Sequence, residues 1–249
     1  MPRSIAYSIV GSTQEVALHL AKEGAPHGTA VTAETQLLGR GREGRSWSSP
    51  KGGLYTSIVL RPRAEAFPLL SLSAGLELHH LLAPLVPLGH LAIRWPNDLM
   101  LAPPDGHRPA RKVGGVLTDI ISRPGSPTFA VLGVGLNVDI SWTDLPPELH
   151  GKVASLREFS DRPIQPRELF EPIQEAITRS CERVSSPEGR KALPRELEPH
   201  LFGLGRSVAV EGTQGTFCGI GEEGEALVEL GGGGPPKAFR AGELTLEAP

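Results

Sequence analysis

Cysteine is scarce in this chain of 249 residues, which contains only Cys181 and Cys218. Their wide separation excludes a short zinc-binding motif and a disulfide framework, so we expect reduced thiols in a cytoplasmic protein. Long apolar runs are missing too. The N-terminal Met-Pro-Arg-Ser-Ile has no apolar signal core, and no run reaches the roughly 18 apolar residues of a membrane span. We therefore expect a soluble protein without a membrane partner.

An excess of charge of one sign is also absent. The chain has 25 Lys and Arg against 28 Asp and Glu, a formal net charge of −3. Proteins that bind nucleic acids non-specifically usually carry a basic surface, so this balance argues against a DNA partner. Hydrophobic residues make up 39% of the chain, which is enough for a core. The length is typical of one large domain followed by a small one.

Hydrophobic periodicity predicts strands and helices that alternate over most of the chain. The predicted strands are 5–10, 29–35, 54–60, 91–95, 113–121 and 128–138. The predicted helices are 12–23, 69–82, 167–184 and 188–201. Ser12 and Glu15 have the spacing of a capping box at the start of the first helix. We also expect a polar hairpin tip from Pro103 to Pro109.

The pattern changes after Gly203-Leu-Gly205, where short strands are separated by glycine-rich turns. The predicted strands of this region are 207–211, 215–220, 226–230, 237–240 and 244–246. Short strands at this spacing are typical of a small barrel. We therefore predict a mixed α/β domain over residues 1–203 and a β-barrel over residues 204–249.

Three arginines alternate with three glycines in the segment Gly39-Arg-Gly-Arg-Glu-Gly-Arg-Ser-Trp47. Glycine permits close approach of the backbone to a ligand, and arginine offers a permanent charge in a fork that suits carboxylate and phosphate. The pattern therefore predicts an anion-binding loop. The sequence of the loop fits the dinucleotide-binding pattern G-x-G-x-x-G and nearly fits the P-loop pattern. Both patterns require a helix directly after the loop, and residues 46–53 are rich in residues that break helices. A basic loop that served only solubility would explain the arginines, but it would not explain the presence of the glycines and Trp47.

Further motifs flank and follow this loop in a particular order. They are Val31–Gln36, Ser49–Ser57, Arg94-Trp-Pro-Asn-Asp98, Lys112-Val-Gly-Gly-Val-Leu117 and Gly133-Val-Gly-Leu-Asn137. Each short motif is unspecific alone. Together with the loop, the set and its order over residues 12 to 137 resemble the biotin–protein ligase family.

The resemblance implies a mixed-sheet α/β catalytic domain of the biotin and lipoate ligase type, followed by a small SH3-like β-barrel. It also implies an ATP-dependent ligase. Such an enzyme joins the biotin carboxylate to the α-phosphate of ATP, expels pyrophosphate, and transfers biotin from biotinyl-5′-AMP to a lysine of a biotin carboxyl carrier protein. The alternative is a lipoate– or octanoate–protein ligase or transferase of the same fold, although those relatives lack the arginine–glycine loop.

By position, the resemblance assigns one group of residues to biotin. The hydroxyls of Ser12 and Thr13 should contact the ureido group, although Ser12 could serve only as a helix cap. Gln14 stands where the family has asparagine, which keeps the amide on a longer arm. Gln36 should hydrogen-bond the ureido edge, and Arg40 should fix biotin partly through its backbone.

The reacting end needs fixed positive charge, because both reactants of the first step are anions. We expect this charge from Arg42, Arg45 and Lys112, and Lys112 should bridge the biotin carboxylate and the α-phosphate. Asp98 is predicted either to hold Mg²⁺ through water or to accept the proton of the acceptor lysine. The predicted catalytic residues are therefore Lys112, Arg42 and Asp98. The predicted contacts with biotin and ATP are Ser12, Thr13, Gln14, Gln36, Gly39, Arg40, Gly41, Arg42, Arg45, Trp47, Asn97, Lys112, Gly114, Gly115 and Asn137.

Two other functions are compatible with the same motifs. A biotin-responsive repressor would carry an N-terminal winged helix, and we expect none because the first strand begins by Ile5. A biotin-binding module without activity would not need the charged positions, all of which are present. His79 and His80 have no carboxylate partner in the pattern, and we interpret both as structural. The acceptor protein and the oligomeric state, a homodimer included, stay open.

Overall fold

A seven-stranded mixed sheet forms the larger part of the computed structural model, which describes residues 3–104, 109–123 and 126–246. Its strands are β1 (Ser4–Val10), β2 (Ala30–Gln36), β3 (Gly53–Leu60), β4 (His90–Arg94), β5 (Asp98–Ala102), β6 (Arg111–Arg123) and β7 (Ser126–Asn137). They lie in the order β1-β2-β3-β7-β6-β5-β4. Strands β1 and β2 are parallel, and the other neighbours are antiparallel.

Helices cover both faces of this sheet. They are α1 (Thr13–Lys22), α2 (Leu70–Leu82), α3 (Pro166–Ser185) and α4 (Pro187–Leu197). On one face, Ala17 and Ala21 of α1 pack with Val31, Val59 and Val131 in a small apolar cluster. On the other face, α2, α3 and α4 contribute to the main core. Every residue of β3 is buried, because this strand has a helical layer on each side.

A second, antiparallel sheet follows the helices. Its strands are β8 (Ser207–Val210), β9 (Thr213–Ile220), β10 (Ala226–Glu229), β11 (Lys237–Phe239) and β12 (Leu244–Leu246). They lie in the order β11-β10-β9-β8-β12, and within the described part of the chain no pairing of β11 with β12 closes them into a barrel. The predicted five strands are thus present as an open sheet.

The two sheets share apolar packing. Val208 and Phe217 of the second sheet belong to the same core cluster as α2 and α3. The indole Nε1 of Trp95, which lies between β4 and β5, donates to the carbonyl of Gly224 at 2.9 Å. The division of the chain into domains 1–203 and 204–249 stays a prediction, although the fold changes character at Ser207.

The mixed α/β fold is confirmed, and most predicted elements lie within a few residues of their observed bounds. Strand β5 was not predicted, and the capping box is wrong: Ser12 is the N-cap residue of α1, but its side chain makes no capping hydrogen bond. Most of the predicted hairpin tip between Pro103 and Pro109 lies outside the described residues. None of the helices in the described ranges has the length and hydrophobicity that crossing a membrane requires.

Candidate active site

A cavity of about 840 Å³, open solvent at its mouth included, lies between the large sheet and the arginine–glycine loop. It collects residues from the start of α1, from β2, β3, β6 and β7, from the start of β5 and the turn before it, and from the turn that precedes β12. The predicted site residues that line it are Ser12, Thr13, Gln14, Gln36, Arg40, Gly41, Arg42, Arg45, Trp47, Asn97, Asp98, Lys112 and Gly115.

The inner end of the cavity is a network of neutral hydrogen-bonding groups. The Gln36 Oε1 accepts from the backbone N–H of Thr13 at 2.8 Å and from its hydroxyl at 3.0 Å. The same hydroxyl lies 2.9 Å from the Ser57 Oγ. The Gln36 Nε2 donates to the Ser49 Oγ at 2.9 Å. These bonds hold polar side chains rigidly at the bottom of the cavity without placing a charge there.

Ser12 is the polar group of this inner end that has no partner. The residue is 2% exposed, and its Oγ makes no hydrogen bond to any described residue. Buried hydroxyls are almost always satisfied, so an unpaired one that lines a cavity points to a ligand. Because the hydroxyl does not cap α1, it is free to bind a polar group in the cavity.

Gln14 lines the cavity, and its side-chain amide is hydrogen-bonded within the protein. Its Nε2 donates to the Asp119 carboxylate at 3.1 Å and to the carbonyl of Val131 at 3.0 Å, and its Oε1 accepts from the Ser57 Oγ at 2.9 Å. The longer glutamine arm therefore has its amide bound within the protein, where it holds Ser57 in place. A Cβ at Gly133 would lie 2.6 Å from the Gln14 Oε1, so the amide keeps this position only because residue 133 has no side chain. Direct contact of Gln14 with a ligand stays a prediction.

The arginine–glycine loop folds back on itself over the cavity. Arg40 and Ser46 form an isolated antiparallel bridge, and the N–H of Gly41 donates to the carbonyl of Arg45 at 2.8 Å. At the tip, Gly44 has φ +74, a conformation that favours glycine. The bridge brings the side chains of three arginines to the cavity mouth.

Trp47 closes one wall of the cavity. A Cβ at Gly135 would lie 2.6 Å from the Trp47 ring, so the indole lies directly against the backbone of β7. The Lys112 Nζ lies 5.1 Å from the centroid of the same ring, which is within the range of a cation–π contact. The buried Nε1 of Trp47 makes no hydrogen bond to a described residue.

Cations and carboxylates alternate at the mouth. The Lys112 Nζ lies 2.6 Å from the Asp98 Oδ1, and an Arg94 guanidinium nitrogen lies 2.5 Å from the Asp98 Oδ2. Asp98 is buried, and each of its two carboxylate oxygens is paired with one of these cations. Arg42 donates to the Asn97 Oδ1 at 3.2 Å, and the Asn97 Nδ2 donates to the backbone of β6 at 2.8 Å. The charged groups are therefore held in place by one another.

Glu243 of the C-terminal sheet region also lines the cavity. Its carboxylate lies 3.0 Å from Arg45 and 3.7 Å from Arg94. The hydrogen bond and charge of Glu243 raise the pKa of the Arg45 guanidinium above its ordinary value. The carbonyl of the preceding Gly242 accepts from Arg42 at 3.4 Å. The end of the chain thus supplies anionic and carbonyl oxygens to the same arginines that we expect to bind phosphate.

Three predicted contact residues do not line the cavity. A Cβ at Gly39 would lie 2.3 Å from the Trp47 carbonyl, so Gly39 allows the loop to close on itself. A Cβ at Gly114 would meet the Leu136 side chain at 2.9 Å, on the core side of β6. Asn137 is buried, and its Nδ2 donates to the carbonyl of Ala154 at 3.0 Å. These three residues lie behind the residues that line the cavity. Their direct contact with a ligand stays a prediction.

Other residues of the cavity were missed by sequence reasoning. Ser57 could have been found from the sequence, because it is a polar residue within a largely apolar predicted strand. Gly133 and Gly135 alternate within the Gly-Val-Gly-Leu-Asn motif, of which only the asparagine is a predicted ligand contact. Glu243 had no signal, because only the fold brings it to residues about 200 positions earlier.

The arrangement combines two chemical capacities. The inner end can recognise an uncharged polar group through an unpaired hydroxyl and a fixed amide. The mouth can bind anions through arginines and a lysine whose present partners are carboxylates of the same chain. A ligand with a neutral polar head and an anionic tail fits both ends at once.

The sequence comparisons agree with this geometry. Residues 6–137 match the model of the biotin/lipoate A/B protein ligase family. The chain belongs to that family. It is similar to the bifunctional ligase/repressor BirA of Bacillus spizizenii, with 29% identity over 90% of this chain and 69% of that protein. It is also similar to a biotin–[acetyl-CoA-carboxylase] ligase of Mycobacterium tuberculosis, with 36% identity over 60% of this chain and 53% of that protein.

The same similarity extends over the whole length in three dimensions. The fold matches a biotin protein ligase from Aquifex aeolicus in complex with biotin and ATP, with a TM-score of 0.75 and 26% identity. The match covers 99% of each chain, so the open C-terminal sheet has a counterpart in that protein.

Proposed function

We propose that this chain is an ATP-dependent biotin–protein ligase. It forms biotinyl-5′-AMP from biotin and ATP and then transfers biotin to a lysine of a carrier protein. The observation that carries the proposal is the two-ended cavity, with the unpaired Ser12 hydroxyl at the neutral end and Lys112 with the loop arginines at the charged end. The Aquifex aeolicus structure that it matches contains biotin and ATP, the two substrates that this reaction requires.

In the first step, a carboxylate oxygen of biotin attacks the α-phosphorus of ATP, and the bond to pyrophosphate breaks. Both partners are negatively charged, so positive groups fixed between them lower the barrier by stabilising the transition state. Lys112 is the cation best placed for this role, because Asp98 and the Trp47 ring fix the position of its Nζ. Arg42 and Arg45 bind phosphate oxygens, which replace Asn97 and Glu243 as their partners.

In the second step, the neutral amine of the acceptor lysine attacks the biotinyl carbonyl carbon, and AMP leaves with the bonding electrons. The acceptor that we propose is a biotin carboxyl carrier protein, since relatives bear the name biotin–[acetyl-CoA-carboxylase] ligase. The amine loses one proton in this step. We propose that Asp98 accepts it once the substrates have displaced Lys112 or Arg94 from the carboxylate.

A lipoate or octanoate ligase is the alternative within the family, whose model covers both activities. The distal part of a lipoyl or octanoyl chain has no strong hydrogen-bonding group. Such a chain would leave the buried Ser12 hydroxyl unpaired, at a cost of about 1–3 kcal/mol. The ureido group of biotin offers both donors and an acceptor there, which favours biotin.

The ion pairs of Asp98 disfavour direct coordination of Mg²⁺ by this carboxylate, and a contact through water stays a prediction. Both oxygens of Asp98 are paired with cations, and a direct metal bond would require at least one of these pairs to separate. Mg²⁺ usually keeps several waters and binds mainly through substrate phosphates. We propose that it enters as a complex with ATP and that no step depends on its coordination by Asp98.

Action in the cytoplasm, independence of DNA and pairing into a homodimer stay predictions. The lack of a disulfide framework supports action in the cytoplasm, and the balanced charge supports independence of DNA. Size-exclusion chromatography with light scattering, with and without biotin plus ATP, would determine the oligomeric state.

The direct test is an incubation of the purified chain with ATP, Mg²⁺, a carrier domain and one acid at a time. We expect pyrophosphate release and acceptor modification with biotin, and neither with lipoate or octanoate. Modification with lipoate but not with biotin would replace the proposal by the alternative. Pyrophosphate release without transfer would indicate that the acceptor is a different protein.

A further inference from the structure

Three histidines meet where α2 ends, outside the cavity described above. His79 and His80 lie in the last turn of α2, and His200 ends the short turn Glu198–His200. One ring nitrogen from each residue lies within 4.8 Å of the other two. The ring centroids of His79 and His200 are 4.1 Å apart, and those of His80 and His200 are 5.5 Å apart. The three imidazoles therefore form one cluster, whose nitrogens are close enough together to be candidate ligands of one ion.

His79 is oriented by the protein in a way that leaves one nitrogen available. Its Nε2 lies 3.0 Å from the carbonyl oxygen of Leu91, and a carbonyl can only accept, so Nε2 carries the proton. The Nδ1 therefore has a lone pair. This atom is buried in a residue that is 8% exposed, and it has no hydrogen-bond partner within the described residues. A buried acceptor without a partner is rare in folded proteins and calls for a ligand.

We propose that His79, His80 and His200 form a binding site for a divalent transition-metal ion of the zinc class, with water as a fourth ligand. Three neutral imidazoles suit zinc, copper, nickel and cobalt, whereas magnesium and calcium prefer oxygen ligands. Histidines that bind metals commonly donate their other ring N–H to a backbone carbonyl, which is the arrangement of His79 with Leu91.

The distances allow such a site after small side-chain movements. Zinc–nitrogen bonds of about 2.0–2.1 Å place the ligand nitrogens of a tetrahedral site about 3.4 Å apart. His80 is exposed and His200 is partly exposed, so both rings have room to rotate toward His79.

The position of the site indicates what an ion would do there. Directly after His200, Leu201 bridges to Ile93 of β4, and the N–H of Phe202 donates to the Ile93 carbonyl at 2.8 Å. This segment leads into the C-terminal sheet. An ion would tie it to α2 and would stabilise the folded chain, since a ligand bound only by the folded state favours that state. The inference is independent of the proposed ligase activity.

The test uses the full chain without a histidine tag, freed of metal by dialysis against a chelator. Zn²⁺ is titrated by calorimetry, and Co²⁺ is titrated by visible absorption, which reports tetrahedral coordination. We expect one ion per chain and a midpoint of thermal unfolding that rises with Zn²⁺. The absence of saturable binding near one ion per chain would overturn the proposal.

Variants locate the binding. H80Q and H200Q should each weaken Zn²⁺ binding by at least about tenfold. The matched control is H19Q, whose histidine is exposed on α1, on the other face of the sheet, and it should bind within about twofold of the parent. Circular dichroism checks that each variant is folded, and H80Q keeps the test valid if H200Q is not, because His80 is exposed. Equal affinity in the parent and in folded H80Q would contradict the site.

Discussion

The two ends of the cavity hold their polar groups by different means. At the inner end, Thr13, Gln36 and Ser57 are neutral and are fixed by a closed set of hydrogen bonds. At the mouth, Lys112 and the arginines pair with carboxylates of the chain itself, chiefly Asp98 and Glu243. The inner end can thus be preformed before any ligand binds, whereas the mouth must exchange internal carboxylates for substrate anions.

This difference predicts that changes at the two ends affect different measurements. Damage to the inner end should weaken biotin binding, because the groups that recognise its neutral head move or lose their partners. Damage to the mouth should slow formation of the adenylate, because the charges act on groups that meet only in the transition state.

The largest effect is expected from Lys112→Ala. Loss of a cation that stabilises the transition state commonly costs about 10²–10³ in rate. We expect such a drop in single-turnover formation of biotinyl-5′-AMP, with biotin binding little changed and the fold intact, since Arg94 still pairs with Asp98. Lys112→Arg should restore the rate only in part, because the guanidinium fork differs in shape from an ammonium group. Near-normal adenylate formation by Lys112→Ala would remove this residue from the mechanism.

Gln36→Ala should act at the other end. It removes the acceptor of two Thr13 hydrogen bonds and the donor to Ser49. Leaving such groups unsatisfied costs about 1–3 kcal/mol, which corresponds to roughly 10–100-fold weaker biotin binding by calorimetry. The adenylation rate at saturating biotin should fall much less. A variant with unchanged biotin affinity and a slow chemical step would contradict the separation of the two ends.

Gly135→Ala tests the cavity wall that Trp47 forms. The added methyl would lie 2.6 Å from the Trp47 ring, so the indole must move away from β7. We expect biotin binding to weaken by about tenfold, since overpacking typically costs about 1–3 kcal/mol. Gly11→Ala is the matched control, because no atom outside the two neighbouring residues lies within 4 Å of its added methyl. Similar affinities in the two variants would show that Trp47 does not shape the biotin site.

The smallest effect is expected from Glu243→Gln, which removes a carboxylate that competes with ATP phosphates for Arg45 and Arg94. Exposed ion pairs contribute little, so ATP should bind up to about fivefold more tightly, and the gain should shrink in high salt. Glu223→Gln is the control, since Glu223 pairs with Arg240 and does not line the cavity. Weaker ATP binding by Glu243→Gln alone would mean that the carboxylate assists ATP instead of competing with it.

Most helices and strands could be predicted from the sequence, because hydrophobic periodicity encodes them locally. Much of the cavity could be predicted because contiguous motifs carry the resemblance to the family, which assigns the residues by position. Strand β5 was missed because Asp98–Ala102 is short and directly follows a turn signal. The capping box failed because the spacing of Ser12 and Glu15 describes a local option, whereas the hydroxyl faces the cavity. Glu243 and His200 could not be predicted, since their partners are far away in the sequence and only packing brings them together.

The most direct test of the two-ended cavity uses biotinol, the alcohol that corresponds to biotin and lacks its carboxylate. Biotinol keeps the neutral head and loses the anion, so its binding should depend on the inner end alone. By calorimetry, Gln36→Ala should weaken biotinol binding by roughly 10–100-fold, whereas Lys112→Ala should leave it within about twofold of the parent. Equal losses in the two variants would contradict the account, because they would show that neutral recognition and charge are not separated along the cavity.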